Sequence, residues 1–169
     1  MRALKGFLAL LLTLVLVMPS QSAFAQDDFD YVALGDSLAF GISDQNGIGK
    51  GYVDFFAEIL SNETEVTSFN KGFSFPGYTT VNVLDDLEKD VEKSSIGDPE
   101  NVKTTISQAI EEAELITLSI GANDVLRTLA KDEEGNLQYD VAQVIASIQQ
   151  MANNLGNILK QVNDLNPEA

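Results

Sequence analysis

Three short segments of the sequence each place a chemically useful group after a predicted strand. Ser37 stands in GDSLAFG (residues 35–41), Gly77 in FSFPGYTT (73–80) and Asn123 in GAND (121–124). Each has an ordinary alternative: Ser37 as a helix cap, Gly77 as a loop glycine and Asn123 as a turn residue. Together they are a hydroxyl nucleophile and two hydrogen-bond donors, the groups that acyl transfer to serine requires. The combination therefore indicates a serine acyl-transfer site.

A parallel sheet would bring these segments together, because the carboxyl ends of its strands meet at one edge. Apolar runs predict strands over residues 30–34, 66–70 and 115–120, the last covered on both faces. Helical spacing predicts helices over 52–60, from Thr79 or Thr80 to 91, and from 141 to 165 behind an Asp140 cap. Another helix is predicted to begin at Asp98-Pro99, and its expected buried face is Val102, Ile106, Ala109, Ile110 and Ala113. Alternating strands and helices favour an α/β fold with a helix-covered parallel sheet.

The composition excludes several kinds of chemistry. The chain of 169 residues has no cysteine and no histidine, so it forms no disulfide and offers no thiolate or imidazole. No cofactor and no metal are expected. The formal charge of −16 disfavours nucleic acid and anionic membranes as partners and is typical of a soluble exported protein. The acidic loop 132–136 offers oxygen ligands for calcium, but it lacks the EF-hand spacing.

The first 25 residues predict a cleaved signal peptide. Arg2 and Lys5 precede an apolar run over residues 7–17, Pro19 interrupts the segment, and Ala23-Phe24-Ala25 has the form of a cleavage site. The apolar run is shorter than the ~20 residues that a membrane span needs. We therefore expect a secreted, extracellular protein without stable membrane insertion, in which residues 26–169 form the N-terminal part of a single domain.

The three segments together resemble the signature blocks of the GDSL, or SGNH, hydrolase family. The resemblance runs from about Phe29 to Asp124, with the blocks in the family's order. It implies a three-layer α/β/α sandwich with a flavodoxin-like parallel sheet, and hydrolysis of small-molecule, lipid or glycan esters through an acyl-serine intermediate. By this similarity Ser37 is the nucleophile, and Gly77, Asn123 and the Ser37 N–H form the oxyanion hole. Gly72 is the competing choice for the glycine, because the loop is longer than is usual in the family.

One departure from the family concerns the catalytic base. The family uses a histidine in a D-x-x-H block near its carboxyl terminus, and this sequence contains none. Asp36 and Asp124 belong to the signature blocks, and a carboxylate of ordinary pKa accepts a serine proton poorly. We therefore expect a C-terminally incomplete enzyme whose last strands and base lie elsewhere. The alternatives are a decayed, truncated product and a non-catalytic secreted binding module on the same fold.

Aromatic residues concentrate near the predicted site. Two interpretations stay open for these aromatic residues, an acyl-binding pocket or core packing. The residues are Phe40, Tyr52, Phe73, Phe75 and Tyr78. Core packing is the interpretation for Phe55, Phe56 and Phe69.

Overall fold

The computed structural model describes residues 29–42, 47, 49–96 and 101–169. The predicted signal peptide and the predicted helix start at Asp98-Pro99 lie outside the described residues. The elements, in chain order, are β1 (Phe29–Gly35), α1 (Ser37–Phe40), α2 (Tyr52–Glu63), β2 (Val66–Asn70), α3 (Thr80–Glu88), β3 (Glu92–Ser94), β4 (Lys103–Thr105), α4 (Ile106–Glu112), β5 (Leu115–Ser119), α5 (Ala122–Leu126), β6 (Leu129–Lys131), β7 (Leu137–Tyr139) and α6 (Val141–Leu165).

The main sheet has three strands in the order β2-β1-β5, and both pairings are parallel. In the register of the central strand, Val32 lies opposite Asn70 of β2, and Gly35 lies opposite Ser119 of β5. The carboxyl ends of all three strands therefore lie at the same edge. Ser37 and Asn123 follow two of these ends directly, as predicted.

Helices cover both faces of the sheet. Alternate side chains of β1 point to opposite sides of the sheet and therefore pack against different helices. Val32 and Leu34 belong to a core cluster with residues of α3, α4 and α6, including the fully buried Ile158. On the other face, Tyr31 and Ala33 pack with α1 and α2. The three-layer α/β/α arrangement is thus confirmed.

The Tyr31 ring organises the face of the sheet toward α2. It stacks on Phe69 with the ring centroids 5.0 Å apart and meets the Phe56 ring edge-on at 5.7 Å. Its hydroxyl lies 2.9 Å from the Thr117 hydroxyl of β5, so it ties the central strand to its neighbour. The core prediction for Phe55 was wrong. That side chain is exposed, because the buried side of α2 runs through Val53 and Ala57.

The prediction that β5 is covered on both faces was also too strong. All five residues of this strand are only partly buried. Within the described residues β5 pairs only with β1, so it lies at an edge of the sheet rather than inside it.

The helix expected from residue 98 begins later than predicted. Residues 103–105 form β4, which pairs antiparallel with β3, and α4 starts at Ile106 with the Thr105 hydroxyl accepting from the Gln108 N–H at 3.2 Å. Val102 is exposed, whereas the rest of the expected buried face is buried as predicted: Ile106, Ala109, Ile110 and Ala113. The β-branched pair Thr104-Thr105 favours the extended backbone that this hairpin needs.

Truncation of a core residue in α6 tests the packing. We expect Ile158→Ala to lower the free energy of unfolding by about 2–5 kcal/mol, because it leaves a cavity between α6 and the sheet. Ile145→Ala is the matched control on the same helix, since Ile145 is 51% exposed and Ile158 is 0% exposed. Urea denaturation of both variants measures the difference. Equal losses would contradict the described packing.

Candidate functional site

Backbone hydrogen bonds around Gly35 join the ends of β1 and β5 and the loop that follows β2. The Gly35 carbonyl accepts from the Phe75 N–H at 3.0 Å, and the Asp36 N–H donates to the Ser119 carbonyl, also at 3.0 Å. A Cβ on Gly35 would lie 2.5 Å from the Ser119 carbonyl oxygen, so only glycine permits this approach. The segments that carry Ser37, Gly77 and Asn123 are thereby fixed at one edge of the sheet.

Ser37 is the first residue of the one-turn helix α1. The helix cap is Asp36, whose carboxylate accepts from the Leu38 N–H at 3.0 Å. The turn closes at Gly41, which has φ +90°. Ser37 is half-buried, and within the part of the chain that the structure describes its hydroxyl has no hydrogen-bond partner. The helix-cap alternative for Ser37 therefore does not hold, and its hydroxyl remains available to a ligand.

The structure distinguishes the two candidate glycines. The Gly72 N–H donates to the Asn70 side chain at 2.8 Å, and a Cβ on Gly72 would lie 2.3 Å from the Ser94 carbonyl oxygen. Gly72 is thus a close-packing glycine whose donor is already used. Gly77 has φ +79°, and no described residue accepts from its N–H. Gly77 is therefore the better candidate for an oxyanion donor.

Asn123 lies in α5 and connects this helix to the loop that contains Gly77. Its Nδ2 donates to the Tyr78 carbonyl at 2.9 Å. The amide nitrogen carries two hydrogens, so one donor remains for a further partner. The helix begins at Ala122, with Gly121 as its cap. Asn123 therefore lies inside the helix and does not cap it.

Asp124 fixes the relative positions of three helices, a role that sequence reasoning missed. Its two carboxylate oxygens accept from the N–H and the hydroxyl of Thr80 at 2.9 and 2.5 Å. Asn154 of α6 donates to the same hydroxyl at 2.9 Å, and Ser147 donates to the Asp124 carbonyl at 2.6 Å. This network holds the start of α3 and the body of α6 against α5. Nothing local in the sequence signals it, because its partners are distant along the chain.

Three aromatic rings form a cleft next to the loop. Phe75 lies between Phe40 and Tyr78, with ring centroids 5.8 and 5.6 Å away, and its side chain is 54% exposed. These rings help to line a cleft of about 450 Å³. Phe73, by contrast, is 1% exposed and belongs to the core. Core packing is thus confirmed for Phe73, whereas Phe40, Phe75 and Tyr78 line an open cleft and Tyr52 is exposed. The acyl-binding interpretation stays a prediction.

A lysine supports the Tyr78 side of the cleft. Lys93 Nζ lies 2.6 Å from the Asp86 carboxylate and 2.9 Å from the Tyr78 hydroxyl. Burial alone would lower the pKa of Lys93, but its hydrogen bonds to Asp86 and Tyr78 and the charge of Asp86 outweigh burial and raise it. Lys93 therefore carries its charge at neutral pH and anchors the Tyr78 ring.

The described residues offer no metal centre. Among them, no group of three or more acidic side chains is placed to hold an ion. In the loop considered for calcium, Asp132 instead accepts from the Asn136 and Glu134 N–H groups at 2.7 and 3.1 Å, as in an ordinary turn. The backbone hydrogen bond from Asn136 is the largest of the contacts that hold the Asp132 pKa below its usual value.

The chain belongs to the GDSL-like lipase/acylhydrolase family, whose family model matches residues 33–169. The sandwich and the placement of the signature segments agree with that assignment. None of the described helices is long and apolar enough to cross a bilayer.

Two solved structures are similar to the chain. One is the crystal structure of AlinE4, described as an SGNH-hydrolase family esterase, with 19% identity and a TM-score of 0.47 over 82% of this chain and 55% of that chain. The other is a mutant of the esterase AlinE4, with 16% identity and a TM-score of 0.36 over 83% of this chain and 69% of that chain. The chain thus spans about half the length of the first of these. No curated protein shows significant similarity to it.

The Asp124 network gives a prediction about stability. We expect Asp124→Asn to lower the free energy of unfolding by about 1–3 kcal/mol, because an amide NH₂ would face the Thr80 donors. Asp85→Asn, in the exposed pair with Lys89, is the control and should change stability by less than about 1 kcal/mol. Thermal denaturation of both variants provides the comparison. An equal effect of the two substitutions would rule out the bracing role.

Proposed function

We propose that the chain carries the nucleophile and the oxyanion hole of a secreted ester hydrolase that works through an acyl-serine intermediate. One observation carries the proposal. At the edge of the sheet, the unpartnered Ser37 hydroxyl belongs to the same hydrogen-bonded junction as the loop of Gly77 and the amide of Asn123. Family membership supports acylhydrolase chemistry as the reaction class.

In the proposed reaction, Ser37 Oγ attacks the ester carbonyl carbon while its proton passes to a general base. The carbonyl oxygen becomes an oxyanion, which accepts hydrogen bonds from Asn123 Nδ2, the Gly77 N–H and the Ser37 N–H. The intermediate then collapses, and the alcohol leaves with the proton. Water hydrolyses the acyl-serine by the same steps, which releases a carboxylic acid and restores Ser37.

The base in this proposal lies outside these 169 residues. The chain has no histidine, and the two carboxylates nearest the site are already engaged. Asp36 caps α1, and Asp124 accepts from Thr80. Both acids therefore hold the backbone in place instead of accepting a proton from serine.

We place this reaction outside the cell, on the basis of the leader-like segment at residues 1–25 and the formal charge of −16. The substrate is a small-molecule, lipid or glycan ester. Neither nucleic acid nor a metal or cofactor has a part in the proposed mechanism.

A non-catalytic binding module is the second candidate function, and the missing histidine favours it. Such a module would bind acyl or glycan ligands at the same edge of the sheet without turnover. Binding that survives Ser37→Ala, together with no hydrolysis by the wild-type protein, would identify it.

Replacement of the nucleophile tests the hydrolase proposal. We expect Ser37→Ala in the complete protein to reduce hydrolysis of a short-chain nitrophenyl ester by about 10⁴–10⁶-fold, because no acyl-serine can form. Ser68→Ala, an exposed serine on β2, is the control and should retain full activity. Unchanged turnover by Ser37→Ala would contradict the hydrolase proposal.

The same assay on the 169-residue chain separates the nucleophile from the base. We expect only trace turnover without histidine, and recovery of part of it when imidazole is added to the buffer. The Ser37→Ala variant of the same chain, assayed with imidazole, is the control and measures the direct reaction of imidazole with the ester. Full activity without imidazole would show that the chain contains its own base.

Removal of the side-chain donor tests the oxyanion hole. We expect Asn123→Ala to lower kcat by about 10²–10³-fold with a smaller change in KM, because the oxyanion exists only along the reaction path. Asn62→Ala removes an exposed amide that bonds only within α2, and it should leave kcat unchanged. A rise in KM alone would assign Asn123 to substrate binding.

A further inference from the structure

We infer that Arg127 is a positioning residue for the oxyanion donor Gly77, an inference that rests on the proposed function. The Arg127 guanidinium does not belong to the reacting groups of that mechanism. It acts on the loop that presents Gly77 from the C-cap position of α5, the helix that contains Asn123.

The inference rests on two hydrogen bonds from side chains of the α5 segment to the loop backbone. Asn123 and Arg127 are four residues apart, so they lie on one side of the α5 turn. Asn123 Nδ2 donates to the Tyr78 carbonyl at 2.9 Å, and Arg127 Nη2 donates to the preceding carbonyl, that of Gly77, at 2.6 Å. Two successive carbonyls of the loop are thereby held by one helix.

Steric packing does not hold Gly77 in place. A Cβ on this residue would find its nearest neighbour, Arg127 Nη2, only at 4.0 Å. The residue has φ +79°, a conformation that glycine adopts and leaves easily. Hydrogen bonds must therefore define the orientation of the peptide groups on either side of Gly77. Gly35 and Gly72 differ in this respect, because both pack directly against neighbouring backbone.

The peptide between Gly77 and Tyr78 is bonded at both of its polar groups. Its N–H, that of Tyr78, donates to the Phe75 carbonyl at 3.1 Å within the same loop. Its carbonyl, that of Gly77, accepts from Arg127. Arg127 is thus the partner that ties this peptide to another element, and a charged donor makes the bond stronger than a neutral one would.

The predicted consequence is specific to kcat. An exposed side chain such as Arg127 contributes little to global stability, so its removal should leave the melting temperature nearly unchanged. The Gly77 N–H belongs to the adjoining Pro76–Gly77 peptide, which meets the peptide held by Arg127 at Gly77 Cα. Release of the Gly77 carbonyl would therefore let this N–H point toward the oxyanion less often, and small misplacements of catalytic groups are costly. In the complete protein, we expect Arg127→Ala to lower kcat about tenfold with KM within about twofold of wild type. Arg127→Lys keeps one charged donor and should recover part of the loss.

Amide hydrogen exchange measured by NMR tests whether Arg127 holds the loop, and it does not depend on activity. In Arg127→Ala, the Tyr78 amide should exchange about tenfold faster, while the amides of α6 keep their protection. Lys131→Ala is the matched control, because it removes an exposed cation four residues along the chain that pairs with no described acid. It should change neither Tyr78 exchange nor kcat.

The outcomes separate this inference from the proposed function. Unchanged Tyr78 exchange in Arg127→Ala, or an equal loss of kcat in Lys131→Ala, would overturn the positioning role. Normal turnover by Ser37→Ala would overturn the proposed function instead, and Tyr78 exchange would still report whether Arg127 holds the loop. Faster exchange with unchanged kcat in an active enzyme would remove Arg127 from any role in catalysis.

Discussion

The pairing of β1 with a parallel strand on each side is the constraint on which the rest of the structure depends. It buries the strand on both faces, and it brings three loops to one edge of the sheet. Gly35 makes the junction possible, because any side chain there would collide with the Ser119 carbonyl. Ser37 leaves this junction on a turn capped by Asp36, so its position is set by the strand and not by the loop alone.

The long periodic elements were predictable because their burial follows a repeating pattern in the sequence. The strand at 66–70 and the helix at 141–165 have the predicted bounds. The four short strands β3, β4, β6 and β7 were not predicted, since three residues carry no periodic signal and their pairing comes from tertiary context. The same context shortened the helix expected from residue 98, because pairing with β3 holds residues 103–105 extended.

The residues of the candidate site also fall into those that could be predicted from the sequence and those that could not. Ser37, Gly77 and Asn123 were identified from their order and from their positions after strands, which are local features of the sequence. Asp124 and Arg127 were not, because their partners Thr80 and Gly77 lie 44 and 50 residues away. Their contacts change how the site is understood. The GAND segment supplies a candidate donor, and it also braces the helices and the loop that surround that donor.

The loop over residues 73–78 is held by the buried side chains of Phe73 and Ser74 and by main-chain hydrogen bonds on either side of Phe75. Its main-chain contacts to β1 and to α5 use the Phe73, Phe75, Gly77 and Tyr78 groups. The Phe75 side chain faces the open cleft and takes no part in these bonds. Residue 75 is therefore free to vary in size and polarity while the peptide groups beside it stay fixed. Within this fold, the shape and polarity of the cleft can change at that position without disturbing the framework that holds Ser37.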